Sequence, residues 1–318
     1  MRSPSDDIAD NGVVVRNVTK TFRDGALTAV NDVSFTIAPG ELFGLIGPDG
    51  AGKTTLFRVL TTLMLADSGT ATMAGYDVAT QYREIRRIVG YMPGRFSLYQ
   101  DLTVEENLNF FATLFGTTVE EQYDLIRDIY VQIEPFKHRR AAQLSGGMKQ
   151  KLALCCALVH EPRILVLDEP TTGVDPVSRH EFWAILQRLK ARGMTILVST
   201  PYMDEALLCD RIALFDQGAI LSVDTPQGII DAFDTELYKA DAPDILELRR
   251  LLAAHPIVER VYTFGGHLHF SVKKQLVGEL VDELVGELVG ELVDELECVE
   301  VEKTQPTIED CFIRLMST

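Results

Sequence analysis

Short, continuous apolar runs recur through the first two thirds of the chain: Leu42-Phe43-Gly44-Leu45-Ile46, Ile88-Val89-Gly90-Tyr91-Met92, Ile164-Leu165-Val166-Leu167 and Thr195-Ile196-Leu197-Val198-Ser199. Runs this short, bounded by Gly, Pro or acidic residues, read as strands buried on both faces. Residues 13 to 22 and 28 to 37 are also β-rich, and a turn at Asp24-Gly25 divides them. From Thr103 to about Lys137 the period becomes helical. Leu108, Phe111, Ala112 and Phe115 share one face there, and Thr103 followed by Glu106 marks a capping-box start. A second helix is expected from about Val177 to Arg192, stopped by Gly193. Strands alternating with helices predict an α/β fold with a parallel sheet covered on both faces, and the helical block at about 95–160 reads as a subdomain inserted into it.

After about Thr235 the pattern changes. Segments 236 to 241, 257 to 264 and 267 to 272 read as short strands and 243 to 254 as a helix. Residues 275 to 296 repeat Leu-Val-(Gly or Asp)-Glu, from Leu276-Val277-Gly278-Glu279 to Leu292-Val293-Asp294-Glu295. A period of four drifts by about 40° per repeat on a helix of 3.6 residues per turn, so the apolar pairs form a slowly winding stripe. Helix is expected although Gly278, Gly286 and Gly290 each weaken it by about 1 kcal/mol. With a strand at Val299 to Val301 the segment makes a βαββαβ unit, giving domains at 13–235 and 236–318, the second a small α+β domain.

Composition narrows the class. A length of 318 residues suits one large and one small domain. No apolar run approaches the roughly 20 residues needed to cross a bilayer, and Met1 to Asp7 lack a signal-peptide core, so a cytosolic chain is expected. A net charge of −17 argues against nucleic-acid partners. Five cysteines at irregular spacing form neither a disulfide framework nor a zinc pattern, and Cys155 and Cys156 read as small core residues.

The candidate chemistry lies in the strand-like half. Gly47-Pro48-Asp49-Gly50-Ala51-Gly52-Lys53-Thr54 fits G-x-x-x-x-G-K-[ST], preceded by a strand and followed by a helix from Thr55. Such a loop turns backbone N–H groups toward phosphate oxygens, with Lys53 reaching the β- and γ-phosphates and Thr54 placing its hydroxyl on Mg²⁺. Asp168-Glu169 ends the run at 164. A buried strand would hold Asp168 rigidly near Mg²⁺, and Glu169 would polarise an attacking water. Leu144-Ser145-Gly146-Gly147-Met148-Lys149-Gln150 offers a helix start suited to an anion.

These three motifs in this order closely resemble the nucleotide-binding subunits of ATP-binding cassette (ABC) transporters, over roughly residues 13 to 230. Gly90-Tyr91-Met92-Pro93, Val198-Ser199-Thr200, Tyr202-Met203-Asp204-Glu205-Ala206 and Pro306-Thr307-Ile308-Glu309-Asp310-Cys311-Phe312 are similar to multidrug-type bacterial exporters. The resemblance implies a P-loop NTPase fold. It places Phe22 on adenine, Gly47 through Thr55 on phosphates, Asp175 in a loop that communicates across a dimer, and Ser145, Gly146 and Gly147 on the γ-phosphate held by a second cassette. It further implies ATP and Mg²⁺ as ligands, an integral-membrane permease as partner, a homodimer or heterodimer of cassettes, and a peripheral place on the inner face of the cell membrane. Two positions depart from the family: Gly94 stands where a Gln is expected and Pro201 where a His is expected. Neither supplies the missing group, so hydrolysis is expected to be slowed or partner-dependent, with a regulatory ATP-binding cassette as the alternative. A soluble cassette protein of ribosomes or DNA repair fits less well, since this chain has one cassette and no long coiled-coil insertion.

Overall fold

The computed structural model describes residues 12–273, 279–296 and 299–316. Its contacts divide the chain into two units, Met1–Gln227 and Gly228–Thr318.

The first unit contains two sheets. Strands β1 (Val13–Phe22), β2 (Leu27–Ile37), β4 (Ser68–Met73) and β5 (Tyr76–Asp77) form an antiparallel sheet in the order β2-β1-β4-β5. Strands β3 (Leu42–Ile46), β6 (Val89–Met92), β7 (Ile164–Asp168), β8 (Thr195–Thr200), β9 (Arg211–Asp216) and β10 (Ala219–Asp224) form the other, in the order β10-β9-β3-β8-β7-β6. Every pairing in the second sheet is parallel except that of β10 with β9. The fully apolar runs become β3, β7 and β8, all of whose residues are buried. Ile88, expected in a strand, instead ends the helix α2 (Tyr82–Ile88), and β6 begins at Val89.

Helices do not cover both faces of the parallel sheet alone, as the alternation had suggested. Helix α1 (Lys53–Leu60) packs Leu56, Phe57, Val59 and Leu60 into one core with Phe43 and Leu45 of β3, Phe215 of β9, and Val13, Val15, Ile37 and Met73 of the antiparallel sheet. One helix therefore lies between two sheets. The antiparallel strands were legible, but alternation within a strand does not say which element its apolar face will meet.

The inserted helices are α3 (Val104–Leu114), α4 (Tyr123–Tyr130) and α5 (Gly146–Leu158). Helix α3 starts at the expected capping box, with the Thr103 side chain accepting from the Glu106 N–H and the Glu106 carboxylate accepting from the Thr103 N–H. Cys155 and Cys156 are buried in α5, where desolvation pushes both thiols up. Helix α6 (Pro176–Ala191) follows β7.

The second unit begins within helix α7 (Pro226–Asp231), a few residues ahead of the boundary expected at 235/236. Local bonds explain the shift: the Cys311 thiol donates to the Ile229 carbonyl, and Arg314 pairs with Asp234. Strands β11 (Leu237–Asp241), β12 (Val258–Phe264), β13 (His267–Val272) and β14 (Glu300–Thr304) form an antiparallel sheet in the order β12-β13-β11-β14, with helices α8 (Ile245–Ala254), α9 (Glu279–Glu295) and α10 (Ile308–Met316). The first six of these elements form the expected βαββαβ unit. The repeat is helical in α9, while 275–278 lie outside the described residues. Its drift is visible in the valines: Val285 is 7% exposed, Val289 is partly buried and Val293 is 52% exposed. Leu288 and Leu292 carry the stripe onward toward the core.

One buried network ties α10 to this sheet. Asp310 Oδ1 accepts from the Tyr262 hydroxyl (2.6 Å) and from His269 Nδ1 (2.7 Å), and Oδ2 accepts from the Thr307 N–H (2.7 Å) and hydroxyl (2.6 Å). Burial pushes the Asp310 carboxyl up, but the bonds from Thr307, Tyr262 and His269 outweigh it and hold the group below its ordinary 3.8. A depressed carboxyl stabilises the fold above its unfolded pKa, and that stability is lost as pH falls through the lower folded value. Replacing Asp310 with Ala should therefore destabilise the second unit by about 3 kcal/mol at neutral pH. The difference from wild type should shrink as pH drops below 3.8. Amide hydrogen exchange of β13 and α10 as a function of pH measures both effects.

Candidate functional site

The site is built where β3, β7 and β8 end, because a parallel sheet brings the carboxyl ends of its strands to one edge. The loop after β3 passes so close to neighbouring backbone that glycine is required at two points. A Cβ on Gly47 would lie 1.9 Å from the Phe215 carbonyl oxygen, and one on Gly52 would lie 2.0 Å from that of Ala29. Gly52 also has φ of 110°, in the left-handed region, where it starts α1. Gly47 and Gly52 thus serve the loop's own packing, whereas a Cβ on Gly50 would meet nothing within 4 Å. Pro48, Asp49, Gly50 and Ala51 form the crest of the loop, with Asp49 and Gly50 exposed, while Thr54 and Thr55 are half-buried in the first turn of α1.

Lys53 is only 2% exposed, yet its ammonium group is fully engaged. It donates to the carbonyls of Gly47 and Pro48, each at 2.8 Å, and pairs with Glu169 Oε1 at 3.2 Å. Three donors meet three acceptors. Glu169 therefore completes the set of acceptors around the ammonium group.

Asp168 and Glu169 are both fastened to β8. Asp168 is buried and its Oδ1 accepts from the Ser199 hydroxyl at 2.8 Å. The Glu169 N–H is shared between the Ser199 hydroxyl (3.0 Å) and the Ser199 carbonyl (3.1 Å), and Glu169 itself has φ of 48°. A left-handed non-glycine residue is uncommon and strained. Here it turns the chain so that Glu169 faces Lys53. The loop is tied to β8 as well, by the Gly47 N–H to the Thr200 carbonyl at 3.3 Å.

Sequence reasoning missed the layer behind these groups. Buried Glu205 receives the Thr200 hydroxyl (2.5 Å) and the Thr171 hydroxyl (2.8 Å), and pairs with Arg179 at 3.1 Å. The Arg179 guanidinium lies 3.9 Å from the Tyr202 ring centroid. The sequence signal for this layer was the pair Asp204-Glu205 in a short segment after β8, with partners that lie elsewhere in the chain. This network locks the ends of β7 and β8 and the start of α6 together.

Gly94 follows β6 and lies beside Asp168: a Cβ there would be 3.0 Å from the Asp168 carbonyl oxygen. Pro201 follows β8 directly and is half-buried. Gln100 is exposed, and its carbonyl is bonded to the Ala142 N–H in the inserted subdomain. Phe22 ends β1 half-buried, with the Lys20 ammonium 5.8 Å from its ring centroid.

Other expected residues lie apart from this cluster. Ser145 caps α5 by accepting from the Met148 N–H. Gly146 faces the Gly173 carbonyl, and Gly147 is packed against the Ser178 side chain. Asp175 caps α6, and the hydrogen bond from the Ser178 N–H holds its carboxyl below the usual range. Among the described residues, no hydrogen bond or ion pair joins Ser145, Gly146 or Gly147 to the 47–54 loop.

The donor set suits a hard cation. The buried Asp168 carboxylate, whose Oδ2 has no hydrogen bond among the described residues, and the Thr54 hydroxyl in the first turn of α1 are oxygen groups of the kind Mg²⁺ takes alongside phosphate and water. Among the described residues, no group of three or more His, Cys, Asp or Glu is placed to hold a metal ion. A cleft of about 880 Å³ opens near the amino ends of β7 and β8, lined by Arg163, Arg192 and Thr195, and includes none of these residues.

The family described as ABC transporter matches residues 30–172. The chain is 36% identical over 311 residues to the probable multidrug ABC transporter ATP-binding protein YbhF of Escherichia coli (strain K12), covering 96% of this chain but 52% of that protein. It thus spans about half the length of that relative. It is 35% identical over 311 residues to Nod factor export ATP-binding protein I of Rhizobium sp. (strain N33), covering 94% of each. A solved ATP-binding subunit of an ABC transporter superposes with a TM-score of 0.64 at 30% identity, over 70% of this chain and 93% of that one. A dimeric ATP-binding cassette in a post-hydrolysis state, bound to ADP and Pi, superposes with a TM-score of 0.61 at 26% identity, over 67% of this chain and 98% of that one.

The geometry at Lys53 sets two expectations for calorimetric titration with ATP in EDTA. Lys53→Ala should weaken binding at least tenfold, the scale of about 1.5 kcal/mol or more for a lost charged hydrogen bond. Glu169→Gln should tighten it by about fivefold, since the competing pair is worth about 1 kcal/mol.

Proposed function

The chain belongs to the ATP-binding subunits of ABC transporters, and on that premise we propose that it binds ATP with Mg²⁺ and energises a separate membrane permease of an exporter by ATP-driven closure of two cassettes. The observation that carries this reading is the meeting of Lys53, Asp168 and Glu169 at one edge of the parallel sheet, with Lys53 buried and aimed at the loop's phosphate side. Phe22 stacks on adenine, and residues 47–55 cradle the phosphates. Thr54 and Asp168 would hold Mg²⁺, which when bound offsets negative charge on the phosphate oxygens. Glu169 leaves Lys53 as the γ-phosphate arrives and orients the attacking water.

Ser145, Gly146 and Gly147 act on the nucleotide of a second cassette. Their separation from the loop in the single chain supports a role across a dimer, either of two copies or with a different cassette. The permease docks at a groove of about 550 Å³ beside Gly94, lined by Tyr91, Phe96, Leu98, Phe111 and Phe115 from the β6 loop and the inserted helices. Among the described residues, no helix is long and apolar enough to cross a membrane. The proposed place on the inner face of the cell membrane follows from the permease contact. Export of a multidrug type is supported by the motifs from Gly90 to Pro93, Val198 to Ala206 and Pro306 to Phe312 and by the name of one relative.

A second reading, a cassette that binds ATP and switches without efficient turnover, is favoured by Gly94 and Pro201. They stand beside Asp168 and at the end of β8, where positioning and charge-stabilising side chains would act. Missing groups of this kind commonly cost about 10² or more in rate. ATP-induced dimerisation by light scattering, with steady-state ATP turnover, separates the two: dimerisation with turnover marks the first, dimerisation without it the second. No retention of MgATP would end both. The double substitution Gly94→Gln and Pro201→His should raise turnover at least tenfold; the same rate before and after would show that these positions do not limit hydrolysis.

A further inference from the structure

We propose that Ser199 is a positioning residue that sets the orientation of Asp168 and the aim of Glu169 with a single hydroxyl group, and so governs magnesium-dependent nucleotide binding. This rests on the reading of Asp168 as a magnesium ligand given above. The register of the parallel sheet pairs Asp168 with Ser199, so the two side chains rise side by side at the end of their strands. Ser199 is fully buried. Its hydroxyl has one proton and it goes to Asp168 Oδ1 at 2.8 Å, while its oxygen accepts from the Glu169 N–H at 3.0 Å.

Two consequences follow from this geometry. A carboxylate turns easily about its last side-chain torsion, which is broad and roughly two-fold. The bond to Oδ1 fixes that torsion and leaves Oδ2 as the oxygen free of protein bonds. The bond from the Glu169 N–H helps hold the residue in its left-handed conformation at φ of 48°, from which its carboxylate reaches Lys53. Among the described residues, no other side chain hydrogen-bonds Asp168. With Gly94 and Pro201 offering no polar side chain at this edge, Ser199 alone links the two acidic residues. Groups that orient a metal ligand typically matter by 10–100-fold in metal affinity.

The test measures ATP affinity of the full chain by calorimetry, once with Mg²⁺ and once in EDTA. The wild type should bind more tightly with Mg²⁺. Ser199→Ala should lose about tenfold of that gain while keeping its affinity in EDTA, and Ser199→Cys, which keeps the volume but has a weak donor, should fall between the two. Either of two results overturns the proposal: an undiminished magnesium gain in Ser199→Ala, or an equal loss with and without Mg²⁺, which would mark a purely structural role. If Ser199→Ala does not fold, Ser199→Cys decides, since a wild-type magnesium gain in that variant also overturns it. Failure of the underlying reading looks different, because the wild type itself would then show no ATP binding or no magnesium gain.

Discussion

The structure is arranged around a buried ammonium group. An unpaired cation out of water is costly, so Lys53 can remain 2% exposed only because its surroundings supply acceptors on every side. Two are carbonyls of the loop that precedes it, and these make the loop curl back over its own lysine. The third is Glu169, brought from a different strand. The loop's shape, the approach of β7 and the left-handed turn at Glu169 are parts of one arrangement. No charge is left vacant here: a carboxylate already stands against the ammonium group.

Precision at such a site depends on what stands behind it. β3, β7 and β8 are buried along their full length, so their ends move little relative to one another. Polar ties then fix the last residues: Gly47 to Thr200, Glu169 and Asp168 to Ser199, and Thr171, Thr200 and Arg179 to Glu205. Each buried polar group named there has a partner, which is the condition under which a buried network rigidifies rather than weakens a fold. Gly94 and Pro201 supply no polar side chain to these ties.

The second unit follows the same rule by different means. Its apolar cluster is small, and Asp310 adds a polar lock that joins the last helix to β12 and β13 through Tyr262 and His269. The four-residue repeat of α9 fits because only a short arc of it must be buried. A stripe that winds by about 40° per repeat can face one sheet over a few turns before Val293 reaches solvent.

Much of this was written locally. Short apolar runs identified β3, β7 and β8, Thr103 and Glu106 marked the start of α3, and the loop at Gly47–Thr54 and the pair Asp168-Glu169 could be named, because each depends on neighbours in the chain and on periods of 2 and 3.6. The antiparallel sheet lying over α1, the division of the units at Gln227, the Glu205 network and the pairing of Asp168 with Ser199 could not. They join residues far apart in sequence, and what decides them is which strands become neighbours and in what register. Neighbouring positions in the chain were enough to name the candidate groups. Tertiary structure decided that Lys53 and Glu169 meet, because only the parallel packing of separate strands brings their ends to a common edge.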